Sequence, residues 1–595
     1  MNDYQAPIDD LRFALRTHGD LAEVLSLPNF VGLDDETIDA IIEEAGRFAG
    51  SGWADSNIKG DLNGAKLLDG KIISDESFYN VYNEFRDAGW ASLSAPEEFG
   101  GQQLPHIVAS ACDEMWCSGN IALSLMQMLT NGALLLLNKF ADDSLKQKLL
   151  PQMCSGQWSG TMCLTEPQAG SDLSQIKCKA VLDDNGQNKI SGQKIYITWG
   201  EQEITDNIIH LVLARLPNAP AGVKGISLFA VPKYRFDGDN VSGNLNNVSC
   251  ISIEHKLGLH GSPTCVMQFD EAEGFLVGEE GRGLQMMFVM MNHARLCVGI
   301  EGHAVSERAF QAAREYSKER IQSRSITADK NAQPVRIIEH PDVRRMLLEQ
   351  KATLEAQRAL YLMTASMLDK ASHPNPEYAN QNKSAAEFMV PVIKAFLSEN
   401  AIRLTNLAMQ CFGGMGYIEE TGVSQLVRDA RITSIYEGTN GIQALDLVGR
   451  KTVSDKGKTA TYLLNEANIW ADKLTSLLPN AAQNLNNAIA TLKQSVVFIL
   501  DNSDANKPEY AASGSLPYLM QTGTVLAAAQ MAKAYVVAQE ALDNIENAKL
   551  HENFYRNKQA NAKVYLDYIL PNAQSYAMQL QNSSESILSI QPDDI

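Results

Sequence analysis

The spacing of the apolar residues changes character twice along this chain, and no other feature limits its fold as much. From Asp35 to about Ser159 the spacing is helical. Ala40, Ile41, Ile42, Ala45 and Phe48 make one stripe, and 121–140 reads as a nearly all-apolar buried helix. From Gly160 to about Gly281 the texture is that of strands, with runs such as 189–198 and 208–214 separated by Gly, Pro, Asn and Asp turns. Beyond Leu284 helical spacing returns over 285–324, 340–370, 385–409 and 441–450, then over 463–478, 488–501, 516–547 and 560–581. Segregated blocks of this kind argue against a parallel sheet with alternating crossovers. The expected class is α+β, mostly α. It divides into a lead segment 1–35, a helical N-domain 36–159, a β domain 160–282, a C-terminal helical bundle 283–451 and an appended helical region 452–595. The polar tail, 583–595, is expected to fray.

Charge narrows the function. Asp and Glu number 71 against 50 Lys and Arg, a formal charge of −21. A phosphate-backbone binder needs a cationic face, so no nucleic-acid partner is expected. The nine cysteines contain no C-x-x-C pair and mostly have apolar neighbours, which suits reduced, buried thiols in the cytoplasm. The N-terminus has no basic stretch leading into an apolar one. No window approaches the roughly 20 apolar residues of a membrane span, so none is expected. G-x-S-x-G, H-E-x-x-H and G-x-G-x-x-G are all missing, and the scattered histidines offer no metal-ligand spacing.

Two runs carry chemistry. In Ile435-Tyr436-Glu437-Gly438-Thr439-Asn440-Gly441, a carboxylate stands between an aromatic and a glycine that has no Cβ to obstruct a ligand. Thr439 or Asn440 can cap the helix that follows. Taken alone, the run would serve equally as a turn with a solvated glutamate. Far upstream stands Thr165-Glu166-Pro167-Gln168-Ala169-Gly170-Ser171-Asp172. A turn between strands would require only Pro167 and Gly170 and leaves the rest of that octet unexplained.

Together the two runs resemble the signature segments of the acyl-CoA dehydrogenase family, and the resemblance extends over about residues 40–450. It implies a helical N-domain, a central β-barrel and a C-terminal helical bundle, with FAD at their junction. In this likeness Met162, Leu164, Thr165 and Ser171 contact the FAD, and Ser171 also lies near the CoA-thioester ligand. Tyr196-Ile197-Thr198 matches a segment in which an aromatic covers the flavin and a threonine hydroxyl faces N5, although the family commonly has Trp where Tyr196 stands. Arg295 corresponds to a substrate-positioning arginine, and Asn292 to a position near the CoA adenosine. Arg320-Ile321-Gln322-Ser323-Arg324 resembles the Arg-x-x-Phe-Gly run whose arginine meets the FAD pyrophosphate of the neighbouring subunit, with the Phe missing and one residue fewer. Gln410 and Gly414, in Gln410-Cys411-Phe412-Gly413-Gly414-Met415-Gly416-Tyr417, would meet the same dinucleotide, and Thr439 a further part of it. A shared FAD implies a homo-oligomer, with a dimer favoured if the appended helices cover the surface that other members use to form tetramers.

The resemblance also implies the reaction. Glu437 would remove the α-proton of an acyl-CoA thioester while the β-hydride moves to flavin N5, giving trans-2-enoyl-CoA. Some family members place the base at the position of Ala294, which cannot serve. Two effects would make a carboxylate adequate. Donors to the thioester oxygen, the backbone N–H of the base and a flavin ribityl hydroxyl, are each worth roughly 3–4 kcal/mol. A dry wall from Tyr436 and the flavin would raise the carboxylate's proton affinity. Gly438 would leave room for the substrate. Electrons would pass to an electron-transfer flavoprotein. The length and lead segment resemble a bacterial subgroup acting on 3-methylmercaptopropionyl-CoA or on fatty acyl-CoAs of broad chain range. The rivals are an acyl-CoA oxidase, which passes electrons to O2, and a non-catalytic binding protein on the same scaffold.

Overall fold

The computed structural model describes residues 4–237 and 240–595, so residues 1–3 of the lead segment and 238–239 of the β-textured block lie outside the described residues. The chain forms two compact units. One takes residues 47–104 and 119–297, and the other takes the residues up to 46, 105–118 and 298–595.

The first unit carries the sheet. Strand Asn188–Thr198 pairs antiparallel with Thr264–Val277 and with Lys179–Leu182. Lys179–Leu182 touches Asn207–Arg215, which pairs with Ile226–Pro232, and Ile226–Pro232 returns to Thr264–Val277. These pairings close into a ring, as a barrel requires. Trp158–Cys163 joins in parallel to Asn207–Arg215, and Val248–Ile253 pairs with Thr264–Val277. Alternation along the strands sends Ile190, Val212, Phe229, Cys265, Met267 and Phe269 into one fully buried core.

Two local features depart from the expected helical texture of 36–159. Lys66–Leu68 and Lys71–Ile73 form a small hairpin, because Asp69 (φ +50°) and Gly70 (φ +80°) supply the two left-handed residues its turn needs. Asn120 breaks the helix His106–Phe140 with φ −149° and caps its second half, its Oδ1 accepting from the Leu123 N–H at 3.0 Å. That helix is also apolar and long enough to cross a membrane, contrary to the expectation of no such window. Its most apolar stretch is 89% buried in protein, as in a core helix.

The second unit is helical. Its bundle comprises Gly283–Glu319 from Val298 onward, Pro341–Lys370, Pro376–Cys411 and Val423–Ile432. The first of these stops five residues before the periodicity suggested, because Ile321 bridges to Arg336 and the Ile337 N–H bonds to the Arg320 carbonyl at 2.7 Å. The appended helix Ser515–Asp543 presses against the bundle at Gly523, where a Cβ would stand 2.5 Å from the Phe396 ring. The lead segment is tied down by Lys558 to Asp10 at 2.5 Å and by Lys370 and Lys533 to Asp20 at 2.9 and 2.8 Å. The tail does not simply fray. Ser584–Ser589 is helical, and Ser584 donates to the Tyr510 carbonyl at 2.9 Å. All nine cysteines are buried, and among the described residues none forms a disulfide. Glu114, His303 and Glu307 are the one trio among the described residues with metal-like spacing, but the Arg358 guanidinium already sits against both carboxylates.

Candidate active site

Glu437 lies in the helical unit, in the turn between Val423–Ile432 and Asn440–Asp446. Its φ is +57° and that of Gly438 is +85°, two successive left-handed residues. For a glutamate this is a strained conformation that persists only when its surroundings impose it. Those surroundings are polar. Gln443 Nε2 donates to the carbonyls of Glu437 and Gly438 at 3.1 and 3.3 Å. Asn440 is buried; it accepts from Lys394 Nζ at 2.8 Å and donates to Glu399 at 2.8 Å and to Ser398 at 3.0 Å. Thr439 caps the next helix by accepting from the Ile442 N–H, so the role of cap falls to Thr439 and Asn440 becomes the anchor. The Glu437 side chain is half-buried.

Further carboxyls surround this turn. The Tyr436 hydroxyl donates to Glu301, which is 1% exposed, and the second Glu301 oxygen is buried with no hydrogen-bond partner among the described residues. Burial pushes Glu301 up to about 8; the Tyr436 hydrogen bond and Lys394 oppose this, while the charges of Glu437 and Asp113 add to it. Burial pushes Asp113 up to about 7. Burial and the Glu301 carboxyl also raise the Tyr436 phenol well above its ordinary value. Glu301 escaped the sequence reading, although a lone carboxylate ending the apolar run 296–300 was a usable signal.

At one end of the same unit the Phe412 ring stacks on Tyr316, with centroids 4.4 Å apart. This contact brings the Gln410–Tyr417 segment to the end of the helix that leads into Arg320. Arg320 and Gln410 are exposed, and a Cβ on Gly413 or Gly414 would meet nothing within 4 Å. Met415, Tyr417 and Ile418 are exposed beside them, Tyr417 by 85%.

In the sheet-bearing unit, the Ile195 N–H donates to the Thr165 carbonyl at 2.9 Å, which joins the Thr165–Asp172 octet to the strand bearing Tyr196 and Thr198. Beneath lies a fully buried Lys194, whose Nζ donates to the Leu164 carbonyl at 3.0 Å and to Glu166 at 2.8 Å. Glu166 also accepts from the N–H groups of Lys177 and Cys178 at 2.7 and 3.0 Å. This ion pair, not read from the sequence, fixes the octet from below. Met162 ends the strand side of it half-buried, Leu164 is buried, and Thr165 and Thr198 are half-buried. Ser171 is exposed, as is Tyr196, 60% exposed at φ +60°. Asn292 and Arg295 meet on one helix face at 3.4 Å, with the guanidinium 5.9 Å above the Phe288 ring.

The comparisons with known proteins cover nearly the whole chain. Sequence models of the acyl-CoA dehydrogenase N-terminal, middle and C-terminal domains match residues 70–157, 161–272 and 281–451. A model described as acetyl-CoA dehydrogenase C-terminal like matches 456–591. The chain is 42% identical to the 3-methylmercaptopropionyl-CoA dehydrogenase of Ruegeria pomeroyi, over 98% of this chain and 99% of that one. It is 34% identical to a butyryl-CoA dehydrogenase of Syntrophomonas wolfei, over 96% and 95%. Caenorhabditis elegans ACDH-11, solved in complex with C11-CoA, shares the fold with a TM-score of 0.76 at 20% identity, over 95% of this chain and 91% of that one. With these domain matches in the order of its helical, sheet and helical blocks, the chain belongs to the acyl-CoA dehydrogenase family and is an enzyme of that kind.

Proposed function

We propose that this enzyme oxidises the Cα–Cβ bond of an acyl-CoA thioester, with Glu437 as the base that removes the α-proton. The single observation that carries the assignment is the strained turn at 437–438, held from below by Gln443 and Asn440 and followed by a glycine. Strain of this kind clusters at functional sites, and here it presents a half-buried carboxylate with its own N–H on a fixed stem. The N–H of Glu437 would polarise the thioester oxygen as charge develops there, and Arg295, Asn292 and Ser171 would orient the CoA ester.

FAD is the cofactor, and when bound it would supply the acceptor for the hydride of the β-carbon. The residues present suit it. Thr165 and Thr198 offer hydroxyls beside an exposed aromatic, Tyr196, and Met162, Leu164 and Ser171 complete that set. Arg320 is an exposed cation suited to a pyrophosphate, and Gly413 and Gly414 offer an open backbone in the segment that Tyr316 and Phe412 join to its helix, with the exposed amide of Gln410. Thr439 would add a hydroxyl next to the base. The exposed apolar side chains Met415, Tyr417 and Ile418 in that turn favour a second copy of the chain completing the dinucleotide site, hence a homodimer. Electrons would leave to an electron-transfer flavoprotein, and peroxide production would point instead to an oxidase. The substrate is a fatty acyl-CoA or 3-methylthiopropanoyl-CoA.

The test is anaerobic. Glu437→Gln should retain FAD and bind butyryl-CoA, yet leave the flavin absorbance unbleached. Bleaching at a substantial fraction of the wild-type rate would move the base elsewhere. Titration of the wild type with acyl-CoAs of graded length and with the methylthio substrate would rank the substrates.

A further inference from the structure

Glu301 does nothing in the reaction as described, yet its placement is unusual. It is a carboxyl on the buried face of the helix Gly283–Glu319, bonded to the hydroxyl of the residue immediately before the base, with one oxygen left dry and unpartnered among the described residues. A buried structural carboxylate would be expected to have a cation in contact or a full set of donors. Among the described residues Glu301 has neither, and the Lys394 ammonium, which favours its charged form, donates to Asn440 at 2.8 Å.

We propose that Glu301 is a positioning residue for the base at 437: it holds the approach to the turn through Tyr436 and sets the proton affinity of Glu437 through the field of a second carboxyl. The inference rests on the reading of Glu437 as the base. The groups that face Glu301 are Tyr436 and Glu437 from the turn, Asp113 from the helix His106–Phe140 and Lys394 from the helix Pro376–Cys411.

The coupling of Glu301 with Glu437 is reciprocal. While Glu301 keeps its proton, it places no charge beside Glu437. As pH rises through about 8, Glu301 ionises, and the new charge makes Glu437 hold a proton more strongly. A more basic acceptor removes a weakly acidic α-proton faster. The rate of flavin bleaching therefore gains a step near pH 8. Asp113 titrates lower, near 7, and acts on the step by raising the midpoint of Glu301.

The experiment is stopped-flow anaerobic bleaching of the FAD-loaded enzyme by butyryl-CoA from pH 6 to 9.5. The readout is the ratio of the rates at pH 9 and pH 7, roughly threefold in the wild type on Brønsted grounds. Glu301→Gln should abolish the step. Tyr436→Phe removes a bond that favours ionised Glu301, so the midpoint should move up. Asp113→Asn removes a negative neighbour, so it should move down. A purely structural role for Glu301 would change rates at every pH and leave the ratio untouched. If Glu301→Gln does not fold, the opposite displacements in the other two variants decide, and an unmoved midpoint in both overturns the inference. Glu437→Gln runs beside them. Bleaching that persists there overturns the assignment of the base and this inference with it. A silent Glu437→Gln together with an unchanged step in Glu301→Gln overturns this inference alone.

Discussion

Replacing Lys194 with Met keeps most of the side chain's volume and removes only its charge and two hydrogen bonds, to Leu164 at 3.0 Å and Glu166 at 2.8 Å. Both partners of the ion pair are buried, at 0% and 4% exposure. Breaking a buried pair from one side usually costs about 3–5 kcal/mol, because the remaining charge is left in a dry site. Glu166 keeps the N–H groups of Lys177 and Cys178 and the amide of Gln168, so the lower end, about 3 kcal/mol, is expected at neutral pH. Burial alone would raise the Glu166 carboxyl. Lys194 and the backbone donors more than offset that and hold it below its ordinary value. The native carboxylate thus contributes stability above the unfolded-state value, and that stability is lost as pH falls through the native one. Without Lys194 the carboxyl titrates higher, can shed its charge in mild acid, and the gap between variant and wild type should narrow at pH 5. Urea unfolding followed by fluorescence of Trp158 and Trp199, both buried in the sheet-bearing unit, measures this at pH 7.5 and 5.0. Glu166→Gln in the Lys194→Met background should recover more than half of the loss, since no charge then stays buried. A loss below about 1 kcal/mol at pH 7.5, or a gap that does not narrow in acid, would refute the reasoning.

Other expectations are briefer. Gly438→Ala must hold φ +85° and place its Cβ 2.9 Å from Gln443 Nε2, so it should cost about 1–3 kcal/mol locally and lower kcat more than FAD content; an unchanged kcat counts against the turn as the site. Glu301→Gln should be more stable than wild type at pH 8, on the order of a few kcal/mol. The sign follows from Glu301 keeping its proton when folded up to about 8 while the unfolded chain releases it near the ordinary value, so wild-type stability declines across that window. Thermal melts at pH 5 and 8 test it, and a gain that does not grow with pH is the contrary result. Arg358→Met strands Glu114 and Glu307 in the core of the helical unit and should destabilise it by about 3–5 kcal/mol in urea melts, with a much smaller loss when Glu114→Gln is added.

The block order, most helix and strand positions, and the two runs around Glu166 and Glu437 are legible along the chain. Each of these depends on neighbours within a few residues, as in the alternation along 189–198, the stripe along 340–370 and a glycine after a glutamate. Local signals were also missed where a short cue lay inside a longer pattern, as with Asp69-Gly70 in a helical stretch. Which charges meet is visible only in three dimensions. Lys194 reaches Glu166 across 28 residues, Glu301 reaches Tyr436 across 135, and Arg358 reaches Glu114 across 244. A side chain's burial and its partner are set by packing between segments distant in the chain, and that packing leaves no period in the sequence. The same separation explains the site. The run that holds the proposed base, Glu437, stands out through its resemblance to a family segment, whereas the buried carboxyl of Glu301 became visible only when its helix was packed against the turn.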